Sequence, residues 1–436
     1  YKQHTNYNSI NVYATYNKDF GNHHFKVMAG FNQESSYQET LDTYSYNQAV
    51  LDVPAMSSGT GTIKATDSYS EYAIRGGFFR VNYNYLDKYL LEVNGRYDGS
   101  SKFPKSSRFG FFPSVSAGWQ IAQERFMNST RHWLDGLKLR ASYGVIGNQN
   151  INPYTFTPSM SVNNKATSWI IDDTYVTSIS SLPALVSQNF TWEKVGTINV
   201  GLDVNLFNNR LSGVFEWYQR NTNGMLAPGV QLPAVVGASA PYQNTADMRT
   251  RGWELSLNWR DQIGKVGYRI GFNLSDYKSE IIKYDDNAAT KLLSSYYPGQ
   301  TLGEIWGYVV DGYYTVDDFV DTSSWQLKEG VTSINGYNVR PGDVKFKNLR
   351  DDDTSTNVIT SGDNTFDNPG DRKVIGNTTP RYQYGINLGM NYAGFDLNVI
   401  LQGTGKRDYW ISNVLTFPMN GDNFVPLFEG LSDYWM

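Results

Sequence analysis

The sequence predicts an all-β fold, an antiparallel sheet wetted on one face and greasy on the other, on three observations. Apolar and polar residues alternate one by one along segment after segment, the period of a strand with two unlike faces. Short polar turns and long polar loops take turns in joining those segments. Aromatic residues make up 15% of the chain (32 Tyr, 22 Phe and 11 Trp, beside 40 Gly), although only 40% of residues are hydrophobic. Tyr and Trp gather where one end of a ring is apolar and the other wet, as in the girdles of a membrane barrel. Pattern and composition therefore favour a transmembrane antiparallel β-barrel, while a tyrosine-rich soluble or sugar-binding β protein would share the composition.

Each segment repeats the argument. Ile10, Val12, Ala14 and Tyr16 alternate with polar neighbours, and Gly21-Asn22-His23-His24 turns the chain into Phe25, Val27, Ala29 and Phe31. A polar link from Gln38 to Ser70 leads to Phe79, Val81, Tyr83 and Tyr85, then through Leu86-Asp87-Lys88 to Leu91, Val93 and Gly95. Asp98 to Arg108 reads as a polar loop, Val115 to Ile121 as the next strand, and Ala122 to Gly136 as a connector with some helical potential. Leu137 to Val145 shows the pattern most plainly, with Lys138 and Arg140 on the wet face. After a long excursion, Ile198 to Leu206 turns at Asn208-Asn209 into Leu211 to Trp217. Within that hairpin Asp203 and Glu216 have no evident cationic partner in register, so a dry core would be a costly place for this face and a water-filled interior an easy one. Trp253 to Trp259 pairs with Tyr268 to Leu274, and Tyr384 to Tyr392 turns at Ala393-Gly394 into Phe395 to Leu401. That is about a dozen strands, each long enough for the roughly 9–11 residues a tilted membrane strand needs.

The 436 residues are read as part of a single barrel, with long loops at about 38–70, 147–190, 221–246, 281–380 and 403–436. Short turns on one side and long loops on the other are what outer-membrane barrels show, the loops facing outward. No run of about 20 apolar residues is present, so no membrane helix is expected. The net charge of -5 and the lack of a Lys/Arg cluster exclude a nucleic-acid partner. With no Cys there is no disulfide and no thiolate chemistry. The four His lie at terminal, turn or connector positions without a catalytic motif, so the protein is not expected to be an enzyme. The chain opens on Tyr1 with alternation under way and no signal peptide, and is expected to be a processed or excised portion.

Several strings carry a resemblance. Tyr89 to Phe103 (YLLEVNGRYDGSSKF), Phe109 to Met127, Leu134 to Ile151 (LDGLKLRASYGVIGNQNI), Trp192 to Thr222, Asp247 to Arg260, Gly303 to Tyr314 (GEIWGYVVDGYY), Pro341 to Leu349 and Asp371 to Gly403 occur in one order along nearly the whole chain. In these strings the sequence resembles the SusC/RagA family of TonB-dependent outer-membrane transporters. The resemblance implies a barrel of about 22 strands plugged by an amino-terminal domain, a partner lipoprotein of the SusD type at its mouth, and import of glycans, oligosaccharides or peptides driven through TonB. Neither a plug domain nor a TonB box is found in this sequence, so coupling to TonB is implied only through relatives. The alternative function is a passive porin-like or adhesive barrel.

Three sets of residues are candidates. Tyr296, Tyr297, Trp306, Tyr308, Tyr313 and Tyr314 are expected as a group to contact a ligand or a partner, since aromatic rings stack on sugars and pack on protein, with ordinary loop packing as the bland explanation. Arg80, Arg96, Lys138, Arg140, Asp203 and Glu216 are expected to face the lumen as a hydrated wall. Asp351, Asp352 and Asp353, with Asp363, Asp367 and Asp371 nearby, invite a Ca²⁺ site because hard cations take oxygen ligands from flexible loops. Relatives often carry an Asp-x-Asn-x-Asp-Gly string here, whereas this chain has Asn348, Arg350, Asp352 and Asp353 at the aligned positions. Two oxygen donors and the turn glycine are thus changed, and a solvated loop with no cofactor is the expectation.

Overall fold

The computed structural model describes residues 1–49, 52, 55–160, 162–163, 170–171, 174–175, 179–180, 183–187, 190–293, 296–350 and 357–411. It divides into two compact units, Tyr1–Asp247 and Met248–Met436. Twelve long strands carry the fold, joined in chain order as an antiparallel meander.

The first unit holds β1 (Lys2–Phe20), β2 (His23–Ser45), β3 (Ile63–Tyr85), β4 (Tyr89–Ser100), β5 (Phe109–Gln120), β6 (Leu134–Asn148), β7 (Glu193–Leu206) and β8 (Leu211–Pro228). Register aligns their faces without a slip over the middle of the unit. One rung runs Asn17, Lys26, Asn82, Glu92, Ser116, Ser142, Asn199 from β1 to β7. The neighbouring rung on the other face runs Tyr16, Val27, Val81, Val93, Val115, Tyr143, Ile198. Because side chains alternate with period two, pairing in this register keeps the apolar rungs on one side and the polar rungs on the other. Among the described residues no second layer covers the apolar side: Leu202 keeps 36% of its surface exposed, and Phe215 and Trp217 are likewise exposed.

At the short-turn end that apolar face carries a continuous line of rings. His23 meets Tyr85 at 4.6 Å, Phe25 meets Tyr83 at 4.8 Å, and Tyr85, Tyr89 and Trp119 follow at 6.3 and 6.5 Å. The connector after β5 folds as two 3-10 turns, Ile121–Gln123 and Arg125–Thr130, and closes onto this line. Glu124 accepts hydrogen bonds there from Tyr89 Oη (2.7 Å), Lys88 Nζ (3.1 Å) and Trp119 Nε1 (3.2 Å).

β9 (Tyr242–Ile263) carries the chain from the first unit into the second, which continues with β10 (Val266–Tyr284), β11 (Arg381–Tyr392) and β12 (Phe395–Lys406). Ile270 faces Leu388 and Phe272 faces Ile386 on one side, while Arg269 and Gly271 oppose Gly389 and Asn387 on the other. Leu257 is 37% exposed, so the apolar face is uncovered here too. At the β11–β12 turn Ala393 and Gly394 both take positive φ (49° and 89°), the geometry of a two-residue hairpin loop, and Gly adopts it without a Cβ clash.

The strands run further than hydropathy shows. β2 continues to Ser45 and β3 begins at Ile63, so both ends of the expected 38–70 link are sheet and only 46–62 lies between the strands. β8 reaches Pro228 and β9 starts at Tyr242, leaving only 229–241 of the expected 221–246 loop outside strands. Where a sheet projects into water on both faces, neither face needs apolar residues, and the alternation that marks a strand disappears. Among the described residues the buried clusters lie at the long-loop ends: Phe103, Phe112, Phe190 and Trp192 form one knot in the first unit. Tyr314, Phe319 and Val339 form another in the second.

Candidate functional site

The polar face of the first unit is a hydrogen-bonded wall. Arg140 on β6 lies opposite Gly201 of β7, which has no side chain to hold it off. Its guanidinium therefore lies flat along the sheet, donating from Nε to both oxygens of Asp203 (3.1 and 3.3 Å) and from Nη2 to Glu216 Oε1 on β8. The expectation that Asp203 and Glu216 lack a cation is thus corrected. A search strand by strand for an opposite charge misses a fork that spans two strands across a glycine. Arg80 donates to Asn94 Oδ1 (2.6 Å), and Glu92 accepts from Asn82 and from Asn94 (2.8 Å). Arg96 holds Asp98 through two bonds of 3.0 and 2.8 Å and lies over Phe78. Lys138 has no carboxylate partner among the described residues. Arg80, Arg96, Lys138, Arg140, Asp203 and Glu216 are all on this one face. A recess of about 580 Å³ in it is lined by Asp19, His24, Asn84, Glu92, Lys138 and Arg140 among others. Its lining mixes these amides and charges with Phe25, Tyr83, Leu90 and Leu91.

The aromatic candidates of the second unit divide. Tyr297 and Tyr314 are fully buried and present no ring to a ligand, which corrects the expectation for both. Tyr297 donates its hydroxyl to Glu304, and Trp306 Nε1 donates to Tyr297 Oη and to Glu304 Oε1, each at 2.9 Å. Tyr314 packs on Phe319 and donates to the Thr332 carbonyl at 2.5 Å. Burial, with Asp318 and Asp343 close by, pushes its phenol above the ordinary value. These rings anchor the loop because a buried Tyr stabilises only if its hydroxyl finds a partner. Tyr308 lies against Phe346 at 5.3 Å with the Arg372 guanidinium 6.0 Å from its ring centre. Tyr296 (47%) and Tyr313 (54%) are the two exposed members of the set.

Acidic residues of the same loop serve backbone amides. Asp371, nearly fully buried, accepts from the N–H groups of Leu349 (2.8 Å), Arg350 (3.3 Å) and Thr360 (2.7 Å). Arg350 donates from Nη1 to Asn368 Oδ1, and Asn368 donates to Asp363 Oδ2. Asp351, Asp352 and Asp353 lie outside the described residues, and among those described no group of three or more acidic or His side chains is placed to hold a metal. Sequence reasoning also missed Asp276 on β10, which takes both Nε and Nη2 of Arg381 at 2.5 Å. The two are 105 residues apart, and only the β10–β11 pairing brings them together.

Set against known proteins, residues 1–434 match the family model "TonB dependent receptor-like, beta-barrel". The chain is 30% identical to TonB-dependent receptor P3 of Formosa agariphila over 424 residues, covering 93% of this chain and 39% of that protein. It is 32% identical over 283 residues to TonB-dependent receptor SusC of Bacteroides thetaiotaomicron, covering 63% of this chain and 27% of SusC. Among solved structures it is similar to the RagAB peptide transporter, at a TM-score of 0.72 and 22% identity over 92% of this chain and 41% of that one. The chain thus spans about two fifths or less of the relatives it matches.

Proposed function

The chain belongs to the TonB-dependent receptor β-barrel family of the outer membrane, and from that premise we propose that it is wall and outer-loop structure of an importer for an oligomeric nutrient. The observation that carries this reading is the family match over residues 1–434, joined to a sheet whose polar rungs stay in register from β1 to β7. A continuous hydrophilic face opposite an uncovered apolar face is what a protein needs to pass polar cargo through lipid. Arg80, Arg96, Lys138, Arg140, Asp203 and Glu216 then line the lumen. Most of these charges are already paired, so the wall wets the passage without trapping a charged solute.

Cargo capture belongs to the long-loop side, where Tyr296 and Tyr313 offer the exposed rings of the aromatic set. Rings of this kind stack on sugars and pack on peptides, and both classes fit the reading. Energy comes from TonB through regions beyond this chain, and a SusD-like lipoprotein closes over the mouth. Uptake of labelled oligosaccharides and labelled peptides by a strain deleted for this transporter tests the reading, together with identification of the lipoprotein that co-purifies with it. Loss of one class of cargo, restored by the intact gene, is the expected result. A deletion strain that takes up every cargo at the wild-type rate would sink the import reading.

A further inference from the structure

On the apolar face of β3 the residues from the short turn upward are Tyr85, Tyr83, Val81, Phe79, Gly77 and Arg75. The register fixes what stands beside the last two. Gly77 faces Phe31 on β2 and Tyr97 on β4; Arg75 faces Gln33 on β2 and Gly99 on β4, and Gly99 faces Phe109 on β5. Along β2 this face reads Phe25, Val27, Ala29, Phe31 and then Gln33, Ser35. On β2 and β3 the change from grease to polar side chains therefore falls between the Gly77 level and the Arg75 level, one side-chain step apart, while Ile10 on β1 and Phe109 on β5 flank the Arg75 level with apolar side chains.

Arg75 is exposed at that boundary. Its guanidinium lies over the Phe109 ring at 5.5 Å, and Phe109 stacks on Tyr97 at 5.3 Å with the rings 13° apart. No Asp or Glu holds Arg75 among the described residues. Just below it, a Cβ added to Gly77 would meet nothing within 4 Å, while Phe31 and Tyr97 stand on either side with much of their surfaces exposed. The surface thus has an apolar notch one side chain deep, with an unpaired cation at its polar end.

We propose that this notch binds a phosphate-bearing membrane lipid of the leaflet on the long-loop side, its acyl chain over Gly77 and its phosphate on Arg75. The guanidinium presents a planar fork of donors that matches phosphate oxygens, and stacking on Phe109 holds it ready. The notch lets a chain lie against Gly77 between two rings, adding apolar contact that a free anion lacks. The inference rests on the apolar face meeting lipid and is independent of which cargo the protein carries.

The test is native mass spectrometry of the full-length transporter, delipidated in detergent and titrated with phosphatidylglycerol, with diacylglycerol and inorganic phosphate as separate probes. The wild type is expected to retain phosphatidylglycerol, and Arg75→Gln to bind it about tenfold more weakly, the loss of a charge-assisted contact. Gly77→Leu, which fills the notch and leaves the guanidinium in place, is expected to weaken lipid binding as well, and diacylglycerol is expected to bind poorly to all three proteins. Heat-dependent gel mobility reports that each variant is folded; should Arg75→Gln not fold, Gly77→Leu decides. Wild-type lipid occupancy in the folded variants would overturn the proposal. So would displacement of the lipid by millimolar inorganic phosphate, which would show a site for a bare anion.

Discussion

A Cβ at position 201 would lie 2.6 Å from Cζ of Arg140, so the one guanidinium that serves both Asp203 and Glu216 depends on a residue with no side chain. Replacing Gly201 by Val is expected to lift the guanidinium from the sheet and leave two carboxylates without their donor. The three side chains keep under a third of their surface exposed, so the loss of either arm is worth about 1 kcal/mol, water taking over part of the role. Urea unfolding of the protein in detergent micelles should then show Arg140→Ala and Gly201→Val each less stable than wild type by about 1–2 kcal/mol, and the double variant no worse than the poorer single. Additive losses would show that the glycine and the arginine act separately. In the outer loop, burial works to raise the Asp318 carboxyl, but the Thr315 amide and hydroxyl and the Lys345 ammonium outweigh it and hold the group below its ordinary value. A group depressed by folding stabilises above its unfolded pKa of about 3.9 and stops doing so as pH falls through its lower folded value. Amide exchange within 314–345 is therefore expected to speed up as pH drops below about 4, beyond the chemical rate, and Asp318→Asn should remove that step. An unchanged step in the variant would place its origin in another carboxylate.

At the scale of elements, strands were legible in the sequence where one face must meet grease and invisible where neither does. Val27, Ala29 and Phe31 mark β2 by alternation, whereas Gln38 to Ser45 of the same strand carry no period, because water lies on both sides of them. The four-residue turn around Asn208-Asn209, between the paired Leu206 and Leu211, and the two-residue turn at Ala393-Gly394 were legible for a local reason: Asn and Gly tolerate the positive φ they adopt. The loop anchors were not, since what buries Tyr297 and Tyr314 is contact with Glu304, Trp306, Phe319 and Val339, and a ring in a loop reads alike whether it is sunk or displayed. The knot at the long-loop end of β5 to β7 escaped for the same reason. There Trp192 lies tilted against Phe103 (4.9 Å), meets Phe112 edge-on (5.2 Å) and donates from Nε1 to the Arg108 carbonyl (2.9 Å), tying the start of β7 to the β4–β5 loop. Trp192→Ala removes a fully packed indole and is expected to cost about 3–5 kcal/mol. Because the knot sits at the long-loop end of the sheet, limited proteolysis should find new cleavage at 101–108 and 149–160 in the variant while the strands stay resistant. Cleavage within the strands of β5 or β6 would instead mean that the knot supports the sheet itself.

For the whole molecule the deciding matter is what each face of the sheet touches. Among the residues of β4 the ring levels at Tyr89 and Tyr97 are about 26 Å apart along the strand, at about 3.3 Å per residue. With a tilt of about 40° that becomes roughly 20 Å of height, near the apolar band of an outer-membrane barrel. Between the two levels the face carries Leu91 and Val93, and a soluble protein would have to bury such a row. The chain has no cysteine, so single nitroxide labels can be placed in it without removing any background thiol. Labels at Leu202 in the first unit and Leu257 in the second are expected to collide with oxygen, which concentrates in lipid, and to be shielded from a water-soluble nickel chelate. Labels at Asn199 and Asn258, on the opposite face of the same strands, should show the reverse preference, since their rungs carry amides and charges. The contrast depends on neighbours one residue apart facing different solvents, so no uniform change in exposure can imitate it. If Leu202 and Leu257 labels proved shielded from both reagents, the apolar rows would be covered by protein, and the sheet could not be the wall of a membrane passage.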